Sequence, residues 1–229
     1  MREAGLRGLR GNVVRPGYIT DNPFTGIGPI DDFLLRTLKG SIQLSCHPDL
    51  GSNTINLVPV DYCANIVISS SLHPPLEQGV GVVHVTPCPQ LAFNAFLETL
   101  QKFKYNAPMV PYSEWRSALE QYVSTEIQEQ REPHALFPLF DWVTADLPSD
   151  TKSRTLENTN AQIVLMANGV DEKDCQVEVT QETVGAYLAF MCEIGFIGRP
   201  EGAEGMKLPV FRIGEEQREA LKMVGRGEG

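Results

Sequence analysis

A cluster of basic residues is the first thing this sequence lacks. Its 19 Lys and Arg are outnumbered by 29 Asp and Glu, for a formal net charge of -10, and no local run of cations reverses the balance. Such a surface repels phosphate backbones and anionic lipid heads, which argues against nucleic-acid and membrane partners. Long apolar runs are lacking too. None approaches the ~18 residues that a membrane span requires, and Met1-Arg2-Glu3-Ala4-Gly5-Leu6-Arg7 carries no apolar segment of a secretory signal. A soluble, intracellular, cytoplasmic protein is expected.

Paired cysteines are also missing. Cys46, Cys63, Cys88, Cys175 and Cys192 are odd in number and irregularly spaced, which fits neither a disulfide framework nor a Cys-x-x-Cys metal site. Cys46 stands beside His47, but neighbours on an extended segment point to opposite faces, so a thiolate–imidazole pair is not expected. His47, His73, His84 and His134 never fall at i and i+4 and have no Cys or carboxylate at ligand spacing, so no metal site is expected.

Two motifs that a nucleotide-dependent reductase needs are absent. A doubly wound dinucleotide fold requires a Gly-rich turn that lets backbone N–H groups meet the pyrophosphate at a helix N-terminus. The nearest approach, Gly26-Ile27-Gly28-Pro29-Ile30-Asp31, lacks the third glycine, follows no strand and loses a donor to Pro29. Short-chain reductases also pair Tyr with Lys four residues on, the ammonium lowering the phenol pKa for proton transfer. Tyr112-Ser113-Glu114-Trp115-Arg116 comes nearest, but it reads better as a helix entry with an aromatic staple. No catalytic residue is assigned. Asp31-Asp32 reads as two acids complementing a helix dipole rather than as a catalytic pair.

What the chain does have is an alternation of strands and helices, with 42% apolar residues to pack them. Gly11-Asn12-Val13-Val14-Arg15 reads as a buried strand stopped by Pro16-Gly17. Asp31-Asp32 opens a helix with Ile30, Leu34, Leu35 and Leu38 on one face, closing at Lys39-Gly40. Thr54 to Val58 alternates like a strand, and Asp61 is placed to cap a helix that turns Ala64, Val67 and Ile68 inward. Gly81 to Thr86 is a further strand, followed by a helix bearing Phe93, Phe96, Leu97 and Leu100. Beyond residue 104 the pattern turns helical. Ser113 caps a segment with Trp115, Leu119, Tyr122 and Val123 on one stripe, a second helix covers Ala135 to Ala145, and Thr180 caps a third with Val184, Tyr187, Leu188 and Met191, ended by Gly195.

Alternating strands and helices imply an α/β fold with a parallel sheet, followed beyond residue 104 by a mostly helical part. With about three credible strands the sheet looks unfinished, and Arg2-Glu3-Ala4-Gly5 reads as the last turn of a helix. Both suggest a piece of a longer fold.

Three stretches taken in order, Gly8 to Thr20 with its Arg15-Pro16-Gly17-Tyr18 core, Asp31 to Arg36, and Asn56-Leu57-Val58-Pro59-Val60-Asp61-Tyr62, resemble the thioester reductase domain of aminoadipate reductases, an extended short-chain dehydrogenase type. His84-Val85-Thr86, the stretch around Trp115, Leu147-Pro148-Ser149 and Tyr187 to Phe196 are similar to that family as well, so the likeness covers roughly residues 2 to 200. The resemblance implies an α/β fold in which 1–104 is the closing part of a Rossmann-type NADP-binding domain with a parallel sheet, 105–214 a mostly helical substrate-binding domain and 215–229 a flexible tail. It implies NADPH as cofactor and a carrier-bound aminoadipyl phosphopantetheine thioester as substrate, reduced to the semialdehyde in lysine biosynthesis. It implies that Pro16, Gly17, Tyr18 and Ile19 face the nicotinamide end, with Gly17 permitting close approach. Tyr18, Asp32, Arg36 and Tyr62 would line the substrate side. The Gly-rich loop, the Tyr/Lys pair, the carrier and the adenylation domain would all precede Met1, so the chain alone is expected to be inactive. The alternative is a catalytically dead interaction module that docks on a carrier protein or on the full-length enzyme.

Overall fold

In a computed structural model, which describes residues 2–73, 79–125, 131–145, 147–200, 206–210, 214 and 219–220, the sequence alternation becomes pairs of parallel strands flanked by helices. The backbone groups into two units, each assembled from three stretches of chain.

The first unit comprises residues 1–23, 55–91 and 153–179. Its opening helix α1 (Arg2–Leu6) leads into β1 (Gly11–Pro16), which pairs in parallel with β6 (Val80–Val85), Gly11 opposite Val80 and Pro16 opposite Val85. β2 (Tyr18–Thr20) continues past the turn and pairs in parallel with β5 (Leu57–Pro59). Helices α3 (Val60–Leu72) and α8 (Thr159–Ala167) pack on these strands. The core joins Val58, Val83 and Val85 of the strands to Ile66 of α3 and to Ala161, Val164 and Leu165 of α8.

The second unit comprises residues 24–54, 92–152 and 180–229. It holds α2 (Phe33–Leu44), α4 (Phe93–Lys102), α5 (Tyr112–Thr125), the short α6 (Phe140–Ala145) and α7 (Leu147–Asp150), and α9 (Gln181–Glu193). A parallel pair of β3 (His47–Asp49) with β8 (Met109–Pro111) lies among them. Two-residue strands β4 (Thr54–Ile55) and β7 (Leu91–Ala92) stand where the chain passes from one unit to the other. Phe33 makes edge contacts with Phe93 and Trp142, and Phe93 with Phe96. Trp115, Leu119, Phe96, Leu97 and Leu100 are buried completely or nearly so.

Several expectations hold: the strand from Gly11, the strand before Thr86, the helix bearing Phe93 to Leu100, and the helix capped by Thr180, whose hydroxyl accepts the Thr183 N–H. Others are corrected. α2 does not close at Gly40 but runs to Leu44, with Ser45 as its left-handed cap. Gly40 is there because His134 packs on it: a Cβ would lie 2.8 Å from the imidazole Cε1. In α3 the buried face is Cys63, Ile66, Ser69 and Ser70, whereas Ala64, Val67 and Ile68 face outward. This helix is apolar nearly all round, so periodicity admits two faces; small serines allow the closer approach to β1, where Asn12 donates to the Ser70 carbonyl at 2.9 Å. Pro59, not Asp61, occupies the cap of α3, and α5 starts at Tyr112, ahead of Ser113. Residues 54–58 form two short strands broken at Asn56. The grouping also differs from a single division at residue 104, because α8 buries its apolar side against β6 and so returns 153–179 to the first unit. The expected tail, 215–229, lies outside the described residues except for Glu219 and Ala220.

Candidate functional site

In a parallel α/β sheet, ligands bind beyond the carboxyl ends of the strands. In the first unit those ends are Pro16 of β1 and Val85 of β6, and the turn at Gly17 stands there. The Gly17 N–H donates to the Val85 carbonyl at 2.8 Å, and the Tyr18 N–H donates to the Asn56 carbonyl at 2.7 Å. A Cβ on Gly17 would collide with the Asn56 carbonyl oxygen and come within 2.8 Å of the Asn56 Cβ. Glycine is therefore required by the close passage of another backbone, a reason independent of any ligand. Both N–H donors of the turn are satisfied internally, so it can offer a ligand carbonyl oxygens and side-chain surface. Pro16 is exposed, Ile19 is 43% exposed and Tyr18 is half-buried.

Asn56 is the residue that sequence reasoning missed. Its Nδ2 donates to the Arg154 carbonyl at 3.1 Å, and its Oδ1 accepts from Gln90 Nε2. Gln90 Nε2 also donates to the Arg154 carbonyl at 3.0 Å, and the Thr155 hydroxyl donates to Gln90 Oε1 at 3.1 Å. Farther along, Asn158 Nδ2 donates to the Thr86 carbonyl at 3.1 Å. The irregular stretch Ser153 to Asn158 is thereby strapped to Asn56, Gln90 and Thr86. The available signal was an Asn interrupting the apolar alternation of residues 54–58, read there as an ordinary strand position.

Tyr62, in the first turn of α3, donates its hydroxyl to the Cys175 carbonyl at 2.8 Å and packs on the core of the unit. Burial pushes its pKa to about 12, the opposite of what a phenol needs to release a proton near neutrality. Asp32 and Arg36 belong to the second unit. Asp32 is the N-cap of α2, its carboxylate accepting the Leu34 N–H at 2.7 Å. Arg36 Nε donates to the Asp31 carbonyl at 2.8 Å and Nη1 to the Ala135 carbonyl at 2.9 Å, tying the 131–136 segment to the helix. Of the expected set, Pro16, Gly17, Tyr18, Ile19 and Tyr62 share one unit, and Asp32, Arg36 and Tyr62 each make at least one internal hydrogen bond.

The motifs set aside at the sequence level have structural occupations. Gly26 is left-handed (φ 67°) and presses on the Ala186 carbonyl of α9. Tyr112 donates its hydroxyl to the Val143 carbonyl at 2.8 Å. Burial raises the Cys46 thiol and lowers the fully buried His47 imidazole, which opposes charge separation between them. Among the described residues, no three or more His, Cys, Asp or Glu gather as a metal site would need, and no helix is long and apolar enough to cross a membrane.

A family model described as "Male sterility protein", of an NAD-binding type, matches residues 1–67. Among solved structures, the terminal R domain from the myxalamid PKS-NRPS biosynthetic pathway aligns with a TM-score of 0.70 at 24% identity, over 87% of this chain and 48% of that one. A thiolation-reductase di-domain from an archaeal non-ribosomal peptide synthetase aligns at 0.62 and 16%, over 85% of this chain and 38% of that one. The fold is thus one that these terminal reductase domains share over part of their length, an α/β class with parallel strands. In sequence the chain is similar to part of the L-2-aminoadipate reductases: it is 45% identical to the L-2-aminoadipate reductase large subunit of Penicillium chrysogenum over 98% of this chain, and 42% identical to the L-2-aminoadipate reductase of Schizosaccharomyces pombe, also over 98%. The chain spans 16% of the length of each of these relatives.

Proposed function

We propose that these residues form the carboxyl-side part of a reductase domain that transfers hydride from NADPH to a carrier-bound 2-aminoadipyl thioester, releasing the semialdehyde, within a longer polypeptide. The observation that carries this reading is the 45% identity to an L-2-aminoadipate reductase maintained over 98% of the chain, together with a fold matching terminal reductase domains. NADPH, when bound, supplies the hydride. The residues present fit one wall of such a site: Pro16, Tyr18 and Ile19 border the strand ends where a nicotinamide would lie, while Gly17 keeps the turn flat against Asn56.

The chain's own residues bind and orient rather than move protons. Tyr62 retains its proton through the neutral range, and no Tyr-x-x-x-Lys pair occurs in the sequence. The phosphate-binding loop and the proton donor are contributed by other parts of the polypeptide, as is the carrier that presents the phosphopantetheine thioester. Tyr18 and Tyr62 are proposed as substrate-binding residues of the first unit, and Asp32 and Arg36 as substrate-binding residues of the second. Asp32 Oδ1 and Arg36 Nε and Nη1 also hold the start of α2 through backbone groups, which fixes where both side chains stand.

The test follows NADPH absorbance with an aminoadipyl thioester on its carrier. The full-length polypeptide is expected to consume NADPH and release semialdehyde, and the 229 residues alone to consume none. Turnover by the 229 residues alone, or none by the full-length polypeptide with this thioester, would overturn the reading.

A further inference from the structure

The strap at Ser153 to Asn158 is held to the Gly17 turn by side chains for which no catalytic need was anticipated. Asn56 touches both at once. Its backbone carbonyl holds the Tyr18 N–H, its Cβ fills the space left by Gly17, and its Nδ2 reaches the Arg154 carbonyl. Gln90, from the loop after β6, completes the arrangement by donating to both Asn56 Oδ1 and the Arg154 carbonyl while accepting from Thr155. The Arg154 carbonyl thus receives two amide donors, and the amide of Asn56 is used at both ends. Asn56 is only 9% exposed, and at such burial a lost amide partner leaves polar atoms unsatisfied. Three separate stretches of chain, at Gly17, at Gln90 and at Arg154, therefore meet at one residue, the first on its backbone carbonyl and Cβ and the other two on its side-chain amide.

We propose that Asn56 and Gln90 are positioning residues: an amide clamp that fixes the Pro16–Ile19 turn against the 153–158 strap, so that the surface presented to the cofactor beyond the strand ends is preformed before binding. Its kinetic consequence rests on the reductase reading above; its structural consequence does not. A preformed wall lowers the ordering cost of binding, so loss of the clamp weakens cofactor binding and leaves the chemical step largely intact.

The experiment uses the full-length polypeptide that carries these residues, with Asn56→Ala and Gln90→Ala, and Thr155→Val as a milder change at an exposed position. Asn160→Ala is the comparison. It removes a side-chain bond of the same kind, from Asn160 Nδ2 to the Val82 carbonyl at 2.8 Å, elsewhere in the same unit. Amide hydrogen exchange is read over peptides covering 16–20 and 153–158, and steady-state kinetics are read against NADPH. With two side-chain hydrogen bonds lost in Asn56→Ala and three in Gln90→Ala, KM for NADPH is expected to rise about tenfold in both while kcat stays within about twofold. Thr155→Val should move the same way by less. Exchange should quicken in both peptides for the clamp variants and in neither for Asn160→Ala.

Unchanged exchange in the 153–158 peptide overturns the clamp. Quickened exchange with an unchanged KM, or an equal rise of KM in Asn160→Ala, overturns the positioning role. A wild-type protein that never oxidises NADPH sinks the reductase reading, and the clamp is then decided by the exchange measurement alone. Should the alanine variants fail to fold, Thr155→Val decides by the same two readouts.

Discussion

Gly17 has a backbone carbonyl where its side chain would be, and backbone does not step aside cheaply. Gly17→Ala must displace Asn56 or reopen the bond from Tyr18, and overpacking of this kind costs about 1–3 kcal/mol. A lowered thermal midpoint is expected, and an unchanged one would mean that Asn56 moves freely. His134 offers a second test. It is almost wholly buried, Nε2 against the Gly40 carbonyl and Nδ1 accepting the Leu136 N–H, and burial pulls its pKa down to about 4. The unfolded chain, with an ordinary imidazole, binds the proton more readily, so stability is intact above about pH 6.5 and falls as pH drops toward 4. The loss over that window is on the order of 3 kcal/mol. Urea unfolding at pH 7 and pH 5 should reveal it, and His134→Gln, which keeps a donor for Gly40, should flatten the dependence.

At the scale of an element, α2 shows how a residue can carry two meanings. Asp32 caps this helix, so Asp32→Ala is expected to cost about 1 kcal/mol, whereas Asp32→Asn retains the cap and should cost a few tenths. Were Asp32 to meet substrate as a charge, Asn would instead lose turnover while preserving the thermal midpoint, and the pair of variants separates the two roles. The helix itself was legible because Leu34, Leu35 and Leu38 recur at helical spacing. Its end was not, because a glycine chosen for packing on His134 resembles a glycine chosen for a terminus. Similarly, α4 presents one apolar face and was read correctly, α9 is buried all round from Thr183 to Met191 so that any stripe read on it is interior, and α3 presents two faces and was read on the wrong one. Short strands such as β3 and β8 gave no alternation to see, being held by pairing between residues far apart in sequence. The turn at Gly17 was legible from Pro16-Gly17, but its partner Asn56 was not, since a single Asn carries no period and its role comes from bonds to residues 34 and 98 positions away.

For the molecule as a whole, the outward face of α3 matters most. Val60, Val67, Ile68 and Leu72 are each at least 43% exposed, and among the described residues β1 has β6 as its one paired neighbour. An open strand edge beside an apolar helical face favours self-association. The 229 residues in isolation are expected to scatter light at micromolar concentration. Ile68→Lys and Leu72→Lys should reduce that scattering without lowering helical content by circular dichroism, and scattering indifferent to both would place the sticky surface elsewhere. Each of the two units draws on an early, a middle and a late stretch of chain. On a ribosome that emits the chain from its N-terminus, β1 must wait for α8 before its core can close, and α2 and α4 must wait for α9. Neither unit is complete before its last stretch of chain has been made, so no single cut can release a unit that is whole.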